Sequence, residues 1–328
     1  MLKSLFVALA LGAATLAGTT LANAQAQSLQ PVKFAWNPNP QTAQIDVAIK
    51  NGLFKEAGLD VQIVAFPTGR EALEALLGGQ VDFAYMAEFP VATAVLRQQK
   101  LKIIADLSRY QGQRVIATAK TLDLKSATDL AGKKLGTTLG TNVEFFTHRL
   151  LAQIGAKATI VNAGPADLLP ALTRGDIDAA IMFPTFFGAA KKTLGDDYRE
   201  LISDLYVLHM VVTASSAMVE KNPAVIEKFV SAIVKADAAL KADPASAEQA
   251  VFTNMRGMMP LPALQDMWKE MEFKVKLGPD LPALLADEAG WIVDRGMVKA
   301  DKPSAATFRT FILDEPLKKI DPASVTLP

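Results

Sequence analysis

Four short stretches hold most of the residues able to grip a small ligand. Trp36-Asn37-Pro38-Asn39-Pro40-Gln41 offers an indole ring and three side-chain amides. Glu88-Phe89 sets an acid beside a ring, and Thr137-Thr138-Leu139-Gly140-Thr141-Asn142 combines hydroxyls, an amide and a flexible glycine. Phe183-Pro184-Thr185-Phe186 adds two further rings and a hydroxyl. This is chemistry for holding a ligand: Trp36 and Phe186 can sandwich its body, while Asn37, Asn39 and Gln41 can bond its polar edges. Thr138, Gly140, Thr141 and Asn142 run directly into a helical stretch, where free backbone N–H groups favour an anion. An exposed helix end contributes only ~0.3–1 kcal/mol, so selectivity falls to the side chains. Glu88 can meet an amine or a ring nitrogen, or it can be a helix-start charge facing water.

Motifs for bond-breaking chemistry are absent. The chain lacks G-x-S-x-G, H-E-x-x-H, G-x-x-x-x-G-K-[ST] and G-x-G-x-x-G. It has two histidines and no cysteine, which leaves a metal site to carboxylates alone, and no such cluster is visible. His148 lies off the apolar stripe of its helix and is expected to be solvated. His209, in Tyr206-Val207-Leu208-His209-Met210, falls where the chain is expected to cross between lobes and is a candidate ligand contact. No cofactor and no metal are expected.

The elements that must position these loops follow from periodicity. A strand is expected over 32–36, a helix over 42–50, a strand over 59–66, a helix over 70–77 and a strand over 81–86, with Gly58 and Gly78-Gly79 as stops. Strand, helix, strand, helix implies a parallel sheet with crossover helices, an α/β class. The segment from Ala75 to Met86 recurs 96 residues downstream as Ala171 to Met182, with Ala, Leu, Gly, Asp, Ala and Met coinciding. The strand around Phe34 and its loop to Thr42 likewise rhyme with Lys134–Thr137 and the loop to Asn142. Two related α/β lobes account for both echoes. Beyond Met218 the stretches 222–240, 244–255, 261–273, 281–294 and 304–313 read as helices, with no strand among them. In open α/β sheets ligands lie beyond the carboxyl ends of the strands, and the four loops fall at such ends.

Composition narrows the class further. The chain has 328 residues, with 34 Lys+Arg against 34 Asp+Glu and 50% apolar residues. A net charge of zero argues against nucleic acid as the main partner. The start reads as a leader: Lys3, an apolar stretch from Leu5 to Leu16, then Ala22-Asn23-Ala24, with a cut expected after Ala24 and a second possible cut after Ala26. Residues 1–24 are therefore expected to be removed on export, leaving a chain that rests on its core without disulfides.

Ala48-Ile49-Lys50-Asn51-Gly52-Leu53-Phe54-Lys55-Glu56-Ala57-Gly58-Leu59-Asp60-Val61 and Asp129-Leu130-Ala131-Gly132-Lys133-Lys134-Leu135-Gly136 carry a more specific signal. With the segments from Gly78 to Ala84 and from Gly175 to Ala180, they resemble periplasmic substrate-binding proteins of ABC importers, in the nitrate/sulfonate/taurine-binding group. The resemblance implies a two-lobed type II periplasmic binding protein fold that closes on a hinge, with delivery of ligand to an inner-membrane permease and its ATPase. The expected lobes are 28–117 with 214–328, and 118–213. Carrying the family's site over lands on residues 37–41, Glu88, Phe89, 138–142 and 183–186. Two positions depart from the family pattern: Glu88 stands where a small hydroxyl is usual, and Met210 stands where an acid is usual. The resemblance further includes a pyrimidine synthase that uses cysteine, and this chain has none.

The expectation is thus a monomeric, exported receptor for a small organic anion or zwitterion. One alternative is a receptor for a thiamine-precursor-like heterocycle or amine recognised by Glu88. Another, of a different class, is an extracytoplasmic enzyme using His209.

Overall fold

Two sheets form because their central strands are rich in apolar residues and buried on both faces. The computed structural model describes residues 28–328, so the expected leader lies outside the described residues. The strands are β1 (Gln30–Ala35), β2 (Leu59–Val64), β3 (Phe83–Ala87), β4 (Leu101–Tyr110), β5 (Gln113–Thr118), β6 (Lys134–Thr137), β7 (Thr159–Asn162), β8 (Ala179–Ile181), β9 (Tyr198–Ser203), β10 (Leu208–Ser215) and β11 (Met271–Lys276). The first sheet has the order β11-β4-β10-β3-β1-β2 and the second β7-β6-β8-β5-β9. In each, three parallel strands join an antiparallel one: β2, β1 and β3 meet β10, and β7, β6 and β8 meet β5.

The sequence echo maps onto this symmetry. Ala75–Met86 enters β3 and Ala171–Met182 enters β8, and the two strands hold the same place in their sheets. The antiparallel member is exchanged: β5 leaves β4 of the first sheet to pair in the second, and β10 leaves β9 of the second to pair in the first. The chain crosses between sheets at residues 111–112 and 204–207. The expected division points, after 117 and after 213, therefore fall inside β5 and β10. Both are almost wholly buried strands, and local pattern alone does not say which neighbour they pair with.

The first crossing is braced by an ion pair. Arg114 on β5 donates from Nη2 and Nη1 to Glu270 at 2.7 and 2.9 Å, and from Nη1 to the Tyr110 hydroxyl at 2.6 Å. A two-pronged guanidinium–carboxylate contact of this kind fixes orientation as well as distance.

The C-terminal region packs on the first sheet. Phe229, on the helix Pro223–Ala242, stacks on Phe83 at 4.4 Å and meets Phe34 and Phe54 at 5.1 Å each. The region is not wholly helical: the expected helix over 261–273 ends at Trp268, and β11 follows as an edge strand on β4. Met271, Phe273 and Val275 alternate with Glu272, Lys274 and Lys276, a period-2 pattern overlapping the tail of the helical one. The β4 edge decides between them. His148 is likewise not solvated but half-buried, with its ring 5.5 Å from that of Trp291, and burial lowers its pKa.

Candidate ligand-binding site

Between the lobes lies a cavity of about 700 Å³. Parallel strands deliver their carboxyl ends to it: β1 ends in Ala35-Trp36, β3 in Met86-Ala87, and β8 leads to Phe183. Helix starts face it from both lobes, at Thr68–Glu71 before the helix Gly69–Leu77 and at Thr141-Asn142 for the helix Asn142–Gln153. Of the expected site residues, Trp36, Asn37, Asn39, Gln41, Thr141, Asn142, Phe183, Thr185 and Phe186 line this cavity together.

Several of these line it without a polar group to spare. The Asn37 amide ties two loops together, with Nδ2 donating to the Phe66 carbonyl and Oδ1 accepting the Phe66 N–H at 3.1 Å. Asn39 donates to the Asn37 carbonyl at 2.8 Å, and its Oδ1 accepts from the Gln41 N–H and the Tyr85 hydroxyl. The Trp36 indole N–H donates to Thr42 Oγ1 at 3.1 Å, and Thr141 Oγ1 donates to the Thr138 carbonyl at 2.7 Å. Gln41 differs from these. Its side chain is 6% exposed, yet Nε2 has no hydrogen-bond partner. A buried amide donor left unpaired costs ~1–3 kcal/mol, so a ligand acceptor there would remove a penalty.

Glu88, Phe89, Thr138, Gly140 and His209 do not line the cavity, which corrects the expected site. Thr138 Oγ1 is held by the Ala163 carbonyl at 3.0 Å. The Phe89 ring is buried against Phe145 and Trp291. Glu88 is fully buried on the far side of its helix start, where Oε1 accepts from the Tyr206 hydroxyl and Oε2 from the His209 N–H at 3.0 Å. His209 turns its Nδ1 to Asp106 at 2.8 Å. Burial disfavours its charged ring, but Asp106 and Glu88 outweigh that and raise its pKa.

Gly140 serves the site indirectly. Its φ of +77° is a left-handed conformation, and a Cβ there would stand 2.8 Å from Arg70 Cδ, on the opposite lobe. Its N–H donates to Glu144 Oε2 at 2.6 Å. Gly140→Ala is expected to lower stability by about 1–2 kcal/mol from backbone strain and to push Arg70 from its place. Urea denaturation checks the first effect and ligand titration the second.

Arg70 was not singled out from the sequence, although it lines the cavity at the start of a helix. The rule that picked the other loops, a helix start beyond a parallel strand, selects Pro67-Thr68-Gly69-Arg70 after β2 equally well. Arg70 forms no ion pair among the described residues; Glu71 and Asp167 line the same cavity. Tyr85, Leu208, Met210 and Met258 also line it. Tyr85, Leu208 and Met210 carry no local signal because a buried strand residue reads as core, and Met258 lies between helices with none of its own.

A two-lobed α/β chain with exchanged antiparallel strands and a ligand-sized cleft has the periplasmic binding protein fold. Residues 39–247 match the family described as NMT1/THI5 like, and the chain belongs to that family. It is 28% identical over 205 residues to a putative binding protein of Brucella abortus, covering 60% of this chain and 63% of that one. The match thus spans under two thirds of that relative's length. It is 25% identical over 226 residues to the taurine-binding periplasmic protein of Escherichia coli, covering 67% of this chain and 69% of the other. Among solved structures, the periplasmic aliphatic sulphonate binding protein of Escherichia coli superposes with a TM-score of 0.71 at 22% identity, over 87% of this chain and 98% of the other. A few relatives carry enzyme names, among them a pyrimidine phosphate synthase of Aspergillus parasiticus.

Proposed function

We propose that this chain is an exported solute receptor that holds a small organic anion or zwitterion between its lobes and presents it to an ABC importer. The observation that carries this reading is the interlobe cavity with donors that have no acceptor of their own among the described residues: the buried Gln41 Nε2 and the guanidinium of Arg70. Thr141 and Asn142, at the start of the helix Asn142–Gln153, line the same space, and a helix N-terminus favours negative charge. Closure of the lobes on a ligand would exclude water and strengthen these contacts, a population shift of the hinge type. The names of the relatives, taurine-binding and sulphonate-binding among them, support an anionic or zwitterionic ligand.

The amine reading through Glu88 loses its residue, since Glu88 faces Tyr206 rather than the cavity. Glu71 and Asp167 remain as acids that could meet the amine of a zwitterion. The enzyme reading through His209 fares no better, because its ring is buried against Asp106 away from the cleft.

A thermal-shift screen of sulfonates, carboxylates, inorganic anions and amino acids tests the reading, because a ligand that prefers the folded state raises the melting temperature. For the anion that binds, Arg70→Gln and Gln41→Leu are each expected to weaken Kd by roughly tenfold, ~1.4 kcal/mol. Calorimetric titration measures it, and unchanged affinity in both variants would remove the assignment. Release of the chain with the periplasmic fraction of cells tests its export.

A further inference from the structure

The cavity is uneven in a way that narrows its ligand. Around Trp36 the polar groups on its wall are already spent on the protein itself: the amides of Asn37 and Asn39, the indole N–H of Trp36 and the hydroxyl of Tyr85. What these residues leave for a ligand is ring surface. Met86, Met210 and Leu208 line the cavity from the first lobe, and Phe183 and Phe186 from the second. Met258 belongs to it as well and is 44% exposed, a large apolar side chain held at the cavity with water on it. Methionines beside rings adapt to the shape of an apolar body. The volume, about 700 Å³, falls in the range of cavities that bury ring-bearing organic molecules. A nitrate or a taurine would fill little of it. Such an ion would also surrender its water to carbon walls on most sides, which is unfavourable for a group without compensating hydrogen bonds.

Against this carbon stand donors without hydrogen-bond partners among the described residues: Gln41 Nε2, the Arg70 guanidinium, the Asn142 amide and the Thr185 hydroxyl, of which Arg70 alone carries a positive charge. We infer that the cleft takes an amphiphilic organic anion: one carboxylate or sulfonate head, countered by Arg70, on a ring-bearing apolar body enclosed between Trp36 of one lobe and Phe183 and Phe186 of the other. Gln41 supplies the buried donor to an oxygen of the same ligand. Glu71 and Asp167 are the groups that would oppose the head, and a cationic ring is therefore part of the test. The inference rests on the receptor reading and narrows its ligand.

Calorimetric titration of the purified exported chain with 2-naphthalenesulfonate, 2-naphthoate, taurine, nitrate and 2-naphthylmethylammonium decides it. The naphthyl anions are expected to bind at least tenfold more tightly than taurine or nitrate, and to quench tryptophan emission through Trp36. Comparing the two naphthyl anions tells a sulfonate-selective head site from a carboxylate-selective one, and either preference supports the inference. Phe186→Ala is expected to weaken naphthyl binding at least fivefold. Met258→Ala, at an exposed position that does not threaten folding, is expected to weaken it about threefold. Tighter binding of taurine or nitrate overturns the ring-bearing body and leaves the receptor reading standing. Tighter binding of the cationic naphthyl compound overturns the anionic head. Failure of every naphthyl compound overturns the inference; only failure of the whole thermal-shift panel overturns the receptor reading with it.

Discussion

Glu88→Ala is expected to cost about 3–5 kcal/mol of folding stability while leaving affinity for a cleft ligand within twofold. The carboxylate is fully buried between the lobes' second crossing and the first sheet. It accepts the hydroxyl of Tyr206, which lies on that crossing, and the backbone N–H of His209 on β10. Glu288 approaches from the helix Asp280–Asp294, with Oε1 3.1 Å from the same Tyr206 hydroxyl. Burial holds the Glu288 carboxyl well above the usual carboxylate range, and the charge of Glu88 beside it pushes the same way. Burial also raises Glu88, but His209 and the Tyr206 hydroxyl work in the opposite direction. Both carboxyls therefore lie above the usual carboxylate range, Glu288 further than Glu88. Truncating Glu88 strands a tyrosine hydroxyl and a backbone N–H and opens a void, and breaking a buried charged network typically costs ~3–5 kcal/mol. Urea denaturation read against calorimetric titration checks both halves. A variant that folds like the parent but loses its ligand would restore Glu88 to the site.

Asp46→Asn is expected to gain about 4 kcal/mol on the parent between pH 4 and pH 7.5. Asp46 lies fully buried on the helix Ala43–Lys50. Burial pushes its pKa to about 7, even though Asn254 donates to Oδ1 at 2.7 Å. Oδ2 has no partner at all. The folded value lies above the unfolded one, near 3.8, so the folded state binds this proton more tightly. Its contribution is complete below pH 4, is lost as pH rises toward 7, and stays lost above that. At ~1.4 kcal/mol per pH unit, the interval from 3.8 to about 7 amounts to about 4 kcal/mol. Asparagine is neutral throughout and escapes the loss. Glu88, Glu288 and His209 titrate in both proteins and cancel in the difference. Urea midpoints at pH 4, 5.5 and 7.5 provide the measurement; parallel pH profiles for the two proteins would mean Asp46 ionises freely.

Much of the architecture was legible before the structure, for a physical reason. The period of apolar residues, the glycine stops and the echo between Ala75–Met86 and Ala171–Met182 are all local properties. They predicted the α/β class, the paired lobes and the loops that face the cleft. Where two local patterns overlap, as over Met271–Phe273, the sequence reads both ways, and pairing with β4 makes the choice. The exchange of β5 and β10 between sheets has the same origin, because an apolar strand has no local mark of its partner.

The site divides along the same line. That residues 36–41, 141–142 and 183–186 stand at strand ends follows from spacing, and the cavity brings them together. Which of their atoms remain free does not follow. Asn37 spends its amide on Phe66 and Glu88 spends its carboxylate on Tyr206, partners far away along the chain. Arg70 reaches Gly140 across the cleft. Sequence alone determined the class of chain and which loops stand at the strand ends that border the cavity, since backbone direction at a strand end is a local matter. Only the tertiary structure decided which donors on the cavity wall remain free, because a side chain's hydrogen bonds belong to whatever segment folding sets beside it.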